Sequence, residues 1–373
     1  MIMNDTTKVY NFSAGPAMIP REVLCQVKRE LYNWKNLKKS IMEISHRSQE
    51  FISVVQEIKH NLRKLLHIPN SYKIVFCHGG ARGQFSAIPM NFSKNANHSS
   101  HNNVVDYINS GYWSYSAALE AKKYCYTNIL NVCKTNNKKQ YILPMNTWEI
   151  NDNSLYLHYC PNETIDGIAI HEEPKFNDKK IVIGDFSSTI LSKRINLERY
   201  SFIYASSQKN IGPSGITLII MHESLLQNIN SYVPSILNYK ILVNSNSMFN
   251  TPNTFSLYLS GLILKWIKKI GGIKEIEKRN IIKSNMLYNM IDSTDFYIND
   301  VVSNNRSRMN VPFTIINTKL HEIFVKEAYK YGLHALKGHN LKGGIRASIY
   351  NAMPIKGVLK LINFMKIFEK KYG

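Results

Sequence analysis

The sequence predicts an α/β protein built on a largely parallel sheet, and three observations carry that prediction. Short apolar runs of strand type alternate with helical periodicities through the middle of the chain. Glycine-rich turns follow directly on two of those runs. A long apolar helix then separates this region from a second, shorter series of strands and helices.

Taken in order, apolar residues recur at three and four through Arg21 to Trp34 and Glu50 to Ile68, which predicts two amphipathic helices. Tyr72 to Cys77 reads as a strand, a helix follows near Tyr115 to Tyr124, and strands are expected at Leu155 to Tyr159, Ile181 to Ile183, Phe202 to Ala205 and Ile216 to Met221. The segment TFSLYLSGLILKWIKKIGG reads as a helix stopped by Gly271 and Gly272. Strands at Val311 to Ile316 and Gly344 to Tyr350 and a final helix from Ile355 complete a second α/β region beginning near residue 260. The polar stretches Asn91 to Asn103 and Lys134 to Gln140 read as surface loops. His98 and His101 in the first are expected to be solvated, because no carboxylate or cysteine cluster accompanies them as metal ligands.

A chain of 373 residues, 44% hydrophobic, can bury a large core and is expected to form two domains. The opening MIMNDTTKVY has no basic segment leading into an apolar stretch, and no apolar run approaches membrane-spanning length, so a soluble, cytoplasmic protein is expected. Cys25, Cys77, Cys125, Cys133 and Cys160 are odd in number, scattered and without a CxxC pair, which predicts reduced thiols. The formal net charge of +21 invites a nucleic-acid partner. Against this, the lysines occur as dispersed pairs such as Lys38-Lys39 and Lys268-Lys269. The abundance of Asn, Ile, Tyr and Lys, all with AT-rich codons, also accounts for much of the charge by mutational bias.

Two strand ends concentrate the chemistry. Asp185 follows the run Ile181 to Ile183, and Lys209 sits among Ser206, Ser207, Gly212, Ser214 and Gly215 on the connector between the next two strands. Open α/β sheets bind ligands in the crevice beyond their strand C-termini, so both side chains would face one crevice. An acid and a lysine so placed suit pyridoxal phosphate, which takes a lysine Schiff base and an acid on its ring nitrogen; a structural ion pair would look the same. After the strand YKIVF, the turn CHGGARGQF places Gly79, Gly80 and Gly83 around Ala81 and Arg82. It opens a helix whose N–H groups could cradle a phosphate, although it is neither a Walker A loop nor a dinucleotide fingerprint. Trp113 in NSGYWS is either a core residue or a plate stacked on a flat ring. SIMEISHRSQEF carries His46 and Arg47, and KGHNLKGGIRASIYN carries His339 and Arg346; arginine forks near glycines suggest an anion site.

With these residues assembled, the chain resembles the phosphoserine aminotransferases, pyridoxal-phosphate enzymes of the class V group. The likeness runs through NFSAGPAMIP, SIMEISHRS, CHGGARGQF, GYWS, HYCPNETIDGIAI, DFSSTILS, QKNIGPSG, FNTPNTF, SRMNVPF and GGIRASIYNAMP. The resemblance implies a fold-type I pyridoxal-phosphate transferase, with residues 1–15 packing near the active site, 16–259 forming the large cofactor-binding domain and 260–373 the small one. It implies that Lys209 bears the cofactor and Asp185 meets its ring nitrogen. Ala81, Arg82 and Gln208 would hold the phosphate, Trp113 would stack on the ring, and Thr164 would bond near the phenolic oxygen. Asn250 and Thr251 would reach the phosphate from the other subunit of an obligate homodimer. Arg346 would clamp the substrate α-carboxylate, and His46, Arg47 and His339 would surround the distal anion.

The implied reaction moves the amino group of L-glutamate to 3-phosphohydroxypyruvate, giving O-phospho-L-serine and 2-oxoglutarate in serine biosynthesis; a role in pyridoxine biosynthesis is open. No metal and no nucleic-acid or membrane partner is expected. Ala14 and Asn340 depart from residues many members carry, a serine and an arginine, and the second departure removes a cation from the anion pocket. A cysteine desulfurase needs a histidine where Gln208 stands. A class V transaminase with another donor or acceptor is the alternative.

Overall fold

The protein is described by a computed structural model over residues 9–93, 103–176 and 179–373. His98 and His101 lie outside the described residues. Strand β1 (Tyr10–Asn11) leads into helices α1 (Arg21–Glu30) and α2 (Gln49–Leu66), then β2 (Tyr72–Cys77), α3 (Gly80–Phe92), β3 (Val104–Asn109), α4 (Tyr112–Ala121) and β4 (Tyr126–Asn131). A hairpin, β5 (Cys133–Asn136) and β6 (Lys139–Ile142), precedes β7 (Leu157–Tyr159), the short pair β8 (Asn162–Glu163) and β9 (Ile168–Ala169), and then β10 (Val182–Asp185), β11 (Phe202–Ser206) and β12 (Thr217–His222). Helices α5 (Tyr239–Asn244), α6 (Thr254–Lys269) and α7 (Gly272–Asp292) follow, and the chain ends in β13 (Tyr297–Ile298), β14 (Asn310–Ile315), α8 (Leu320–Lys330), β15 (Leu333–His334), β16 (Ile345–Ser348) and α9 (Ile355–Tyr372).

The central sheet has the order β2-β12-β11-β10-β7-β3-β4, and only β12 runs against its neighbours. Its inner strands are buried throughout, as their unbroken apolar runs require of a sheet covered on both faces. One face packs on α1, α2 and α6 through residues such as Val27, Phe51, Leu62 and Leu264; the other packs on α3, α4 and α5 through Phe85, Ala118 and Tyr239. The helices start where side chains cap them: Ser48 accepts from Phe51 N–H and Asn253 from Ser256 N–H. Because the strands are parallel, the C-terminal ends of β2, β3, β7, β10 and β11 open on the same edge, and the turns leaving them meet there.

A further core gathers Tyr10 and Phe12 with residues of α7, α8, α9, β14 and β16, around Phe313, Phe324 and Phe368. Position 260, where the small region was expected to begin, falls inside α6, whose buried apolar residues belong to the sheet core.

Two expectations are corrected. Helix α1 stops at Glu30 rather than reaching Trp34: Asn33 has left the helical region, with φ of −142°, and the buried Trp34 opens a separate short turn. The stretch from Lys134 to Gln140 is a β-hairpin rather than a loop. Asn137 and Lys138 at its tip have φ of 47° and 62°, the hand that matches strand twist, and its first strand is polar because it faces solvent. No described helix is long and apolar enough to cross a membrane.

Candidate active site

The converging turns enclose a cavity of about 400 Å³, lined among others by Gly79 to Arg82, Trp113, Thr164, Asp185, Ser206, Gln208, Lys209, His339 and Arg346. Lys209 stands on the turn after β11, which is closed by Gly212 N–H donating to Ser207 O at 2.8 Å. Asp185 is the last residue of the adjacent strand β10, so parallel pairing brings the two side chains to one wall. Asp185 Oδ1 accepts from Ser187 N–H at 2.9 Å. Burial raises the Asp185 carboxyl above the usual range, against the pull of Lys209, Ser187 and Tyr204. Burial likewise lowers the Lys209 amine, with Asp185 as the main opposing influence. Each group is thus brought nearer to neutrality than it would be in water.

The opposite end of the cavity is built for an anion. Gly79 and Gly80 enter α3 with φ of +95° and +61°, a left-handed path that turns the first helical N–H groups inward. Ala81 N–H donates to Ser206 Oγ at 2.7 Å, leaving the Ser206 proton free for a cavity guest. The Arg82 guanidinium lies 5.2 Å from the centre of the Trp113 ring and 3.5 Å from the Tyr112 hydroxyl.

Glu163 holds the indole wall in place. Its carboxylate accepts from the N–H groups of Trp113 (2.9 Å) and Ser114 (2.8 Å) at the start of α4. Trp113 Nε1 donates to Thr164 Oγ1 at 2.8 Å. Glu163 is fully buried, which pushes its carboxyl up to about 7 despite those donors. Arg346, on β16, donates to Thr164 O at 3.2 Å and so carries a guanidinium from the second core into the cavity. A flat, phosphorylated cofactor that reacts with an amine fits this donor set. The indole offers a face, the helix N-terminus and Arg82 an anion seat, Asp185 an acceptor, and Lys209 the amine.

Comparison with known proteins agrees with this geometry. The model of the class V aminotransferase family matches residues 9–361. A phosphoserine aminotransferase of Buchnera aphidicola subsp. Acyrthosiphon pisum is 58% identical over 365 residues, covering 98% of this chain and 99% of its own. The chain belongs to the phosphoserine aminotransferase family. A solved phosphoserine aminotransferase, studied for radiation damage of its Schiff base, superposes with a TM-score of 0.92 at 38% identity, covering 98% of this chain and 99% of its own. The pyridoxal-phosphate-bound phosphoserine aminotransferase of Trichomonas vaginalis gives 0.89 at 35% identity, covering 96% and 100%. The fold is therefore that of the fold-type I transferases, and the chain is an aminotransferase.

Of the residues singled out from the sequence, Ala81, Arg82, Trp113, Thr164, Asp185, Gln208, Lys209, His339 and Arg346 line this one cavity. His46 and Arg47 do not line it; the first is half-buried and the second exposed. Asn250 and Thr251 are also exposed and outside it, with Asn250 Nδ2 3.4 Å from His78 Nδ1. Ala14 is on the wall, whereas Asn340 is exposed and outside the lining. Sequence reasoning gave no site role to Gly15, Cys160, Asn162 and Ser187, and read Ser206 only as a small residue beside Lys209; all five line the cavity. Their shared signal was weak but present: small or polar residues at or just beyond a strand end.

Proposed function

We propose that this aminotransferase transfers the amino group of L-glutamate to 3-phosphohydroxypyruvate, reversibly, giving O-phospho-L-serine and 2-oxoglutarate, with pyridoxal 5'-phosphate on Lys209. The observation that carries the reading is the joint placement of Lys209, Asp185 and Arg346 on one cavity. When bound, the cofactor supplies an electron sink that makes the proton on the substrate Cα removable. The lowered basicity of Lys209 leaves more of its amine unprotonated, as a nucleophile and a proton carrier at Cα must be. Asp185 offers an acceptor to a protonated ring nitrogen. Trp113 and Thr164, locked to each other, fix one face of the site.

Both substrates of the proposed reaction carry two anionic groups, one at each end. Arg346 suits the α-carboxylate because a guanidinium fork matches a carboxylate in plane. Arg82 and His339 alone are few charges for a distal phosphate as well as a cofactor phosphate. This supports a homodimer in which a second copy brings His46, Arg47, Asn250 and Thr251, which stand outside the cavity of their own chain. The five free cysteines suit a reducing compartment, and we place the enzyme in the cytoplasm. The amine product fits serine biosynthesis; amination of a related phosphorylated 2-oxo acid for pyridoxine synthesis remains within reach of the same anion seat.

The test is direct. Purified protein incubated with pyridoxal phosphate should gain a visible absorbance band, and borohydride followed by peptide mapping should place the adduct on Lys209. The loaded protein should form O-phosphoserine from glutamate and 3-phosphohydroxypyruvate. A borohydride adduct on a different lysine would overturn the assignment.

A further inference from the structure

Behind Asp185 lies a buried polar chain that the proposed chemistry has not yet used. Tyr204 is the β11 residue paired with Asp185, and His158, on β7, pairs with Ile183 of β10. By strand alternation all three polar side chains project from the same face of the sheet. His158 Nε2 is 2.9 Å from the Tyr204 hydroxyl, and its ring is stacked between Tyr107 and Tyr204 at centroid distances of 4.7 and 5.9 Å. Tyr204 sits directly across from Asp185 in the β10–β11 pairing, and its hydroxyl is among the influences that hold the Asp185 carboxyl down against burial. His158 and Tyr204 are each 1% exposed, and His158 Nδ1 has no hydrogen-bond partner among the described residues.

We infer that His158 and Tyr204 form a positioning relay, in which His158 donates from Nε2 to the Tyr204 hydroxyl and Tyr204 donates its own proton to Asp185. The inference rests on the pyridoxal-phosphate reading of the site. The direction follows from donor counting. An ionised carboxylate can only accept, so Tyr204 must spend its single O–H on Asp185. The hydroxyl oxygen is then an acceptor, and the neighbouring imidazole nitrogen must carry the hydrogen. The opposite tautomer would present a lone pair at Nε2 and draw the tyrosine proton away from Asp185. Burial lowers His158 to about 3, so the ring is neutral and orients the chain without adding charge. Tyr204 is raised well above its ordinary value, chiefly by burial, and stays a donor. The relay thus supports the carboxylate that a protonated ring nitrogen needs, at a point where desolvation opposes it.

Two measurements decide it. In protein labelled with ¹⁵N-histidine, with His158→Gln to assign the signal, His158 should be protonated at Nε2 and bare at Nδ1; the reverse tautomer overturns the relay. Tyr204→Phe keeps the ring and removes the hydroxyl. Loaded with ¹⁵N-labelled pyridoxal phosphate, this variant should show its ring-nitrogen signal moved toward the unprotonated position. Its kcat should fall about tenfold, the usual worth of a hydrogen bond to a charged group, while KM for glutamate stays nearly constant. An unmoved ring-nitrogen signal also overturns the relay, whereas mere loss of packing would reduce the folded fraction without moving that signal. If Tyr204→Phe does not fold, the tautomer in the unaltered protein decides alone. If the cofactor fails to load on the unaltered protein, the pyridoxal-phosphate reading falls, and the tautomer measurement, which needs no cofactor, still accepts or rejects the donor order.

Discussion

Replacing Lys283 by methionine should remove a stabilising contribution that grows with pH. Lys283 is 1% exposed in the middle of α7, and its Nζ donates to Ile349 O at 2.8 Å and Tyr350 O at 2.7 Å. Burial, helped by the charge of Arg279, lowers its amine to about 7. A neutral amine has two N–H groups, matching two carbonyls with no proton to spare. In the unfolded chain the same amine keeps its extra proton up to about 10.4. Between those values the unfolded state binds one proton more than the folded state, so stability rises with pH by about 1.4 kcal/mol per unit. Over the whole window the ceiling is about 4–5 kcal/mol. Methionine cannot titrate and leaves Ile349 O without its donor, at about 1–3 kcal/mol, whereas Tyr350 O keeps the Met353 N–H at 2.9 Å. The variant should therefore be about 1–3 kcal/mol less stable near pH 9, and the difference between variant and parent should shift by roughly 2–3 kcal/mol in the variant's favour on descending to pH 7, then stay level. Urea unfolding followed by the fluorescence of the four tryptophans, without added cofactor and at fixed protein concentration, measures both curves. Parallel curves from about pH 7 to 9 would refute a neutral Lys283. The site has a stake in the result, because residues 349 and 350 directly follow the strand of Arg346, and the Tyr350 hydroxyl donates to Ala14 O on the cavity wall.

Three further outcomes are expected. Asp185→Asn should stay folded and still bind cofactor, yet transaminate at least about a hundredfold more slowly in single-turnover assays, since an amide cannot stabilise a protonated ring nitrogen; a near-normal rate would remove Asp185 from that role. Gly167→Ala should cost about 3 kcal/mol or more in urea unfolding, because Gly167 has φ of +69° and a Cβ there would lie 2.1 Å from Pro312 Cδ, on the strand paired with Arg346; an unchanged midpoint would contradict that packing. Asn340→Arg places a guanidinium beside His339 and should lower KM for O-phosphoserine more than KM for glutamate, because a phosphate carries more charge than a carboxylate; equal changes would show that residue 340 faces away from substrate.

The sheet and the residues at its C-terminal edge were legible because their signals are local. Val182 to Asp185 and Phe202 to Ser206 are short apolar runs ended by small or charged residues, and parallel pairing follows from the alternation with helices. Glycines at 79 and 80 marked a turn that needs left-handed angles. What the sequence hid is non-local. Nothing near Glu163 says that its carboxylate will cap α4 from 50 residues away, and nothing near His158 says that it will meet Tyr204 across 46. The hairpin at 133–142 differs from the expected loop for two reasons: its first strand is polar and solvent-facing, so the alternation of a half-buried strand is absent, and its second is held by Asp300 and Val301, far away in the sequence.

The same contrast bears on the basic charge of the chain. The chain has 47 lysines and arginines, and among the described residues only Arg82, Lys209 and Arg346 of them line the cavity. A surface field of +21 can gather anionic metabolites and speed their arrival, but it treats all of them alike and weakens with salt. Selection among anions must come from forks held at fixed distance, and Arg346 is fixed by Thr164 O while Arg82 is fixed against Trp113. Since Trp113 and Thr164 are bonded to each other and anchored through Glu163, the two guanidiniums are referenced to one rigid wall. A cofactor phosphate seated at Arg82 and a substrate carboxylate seated at Arg346 would thus be held at one spacing without reorganising the site. Loosening the wall at Glu163 should therefore cost the second contact as well as the first.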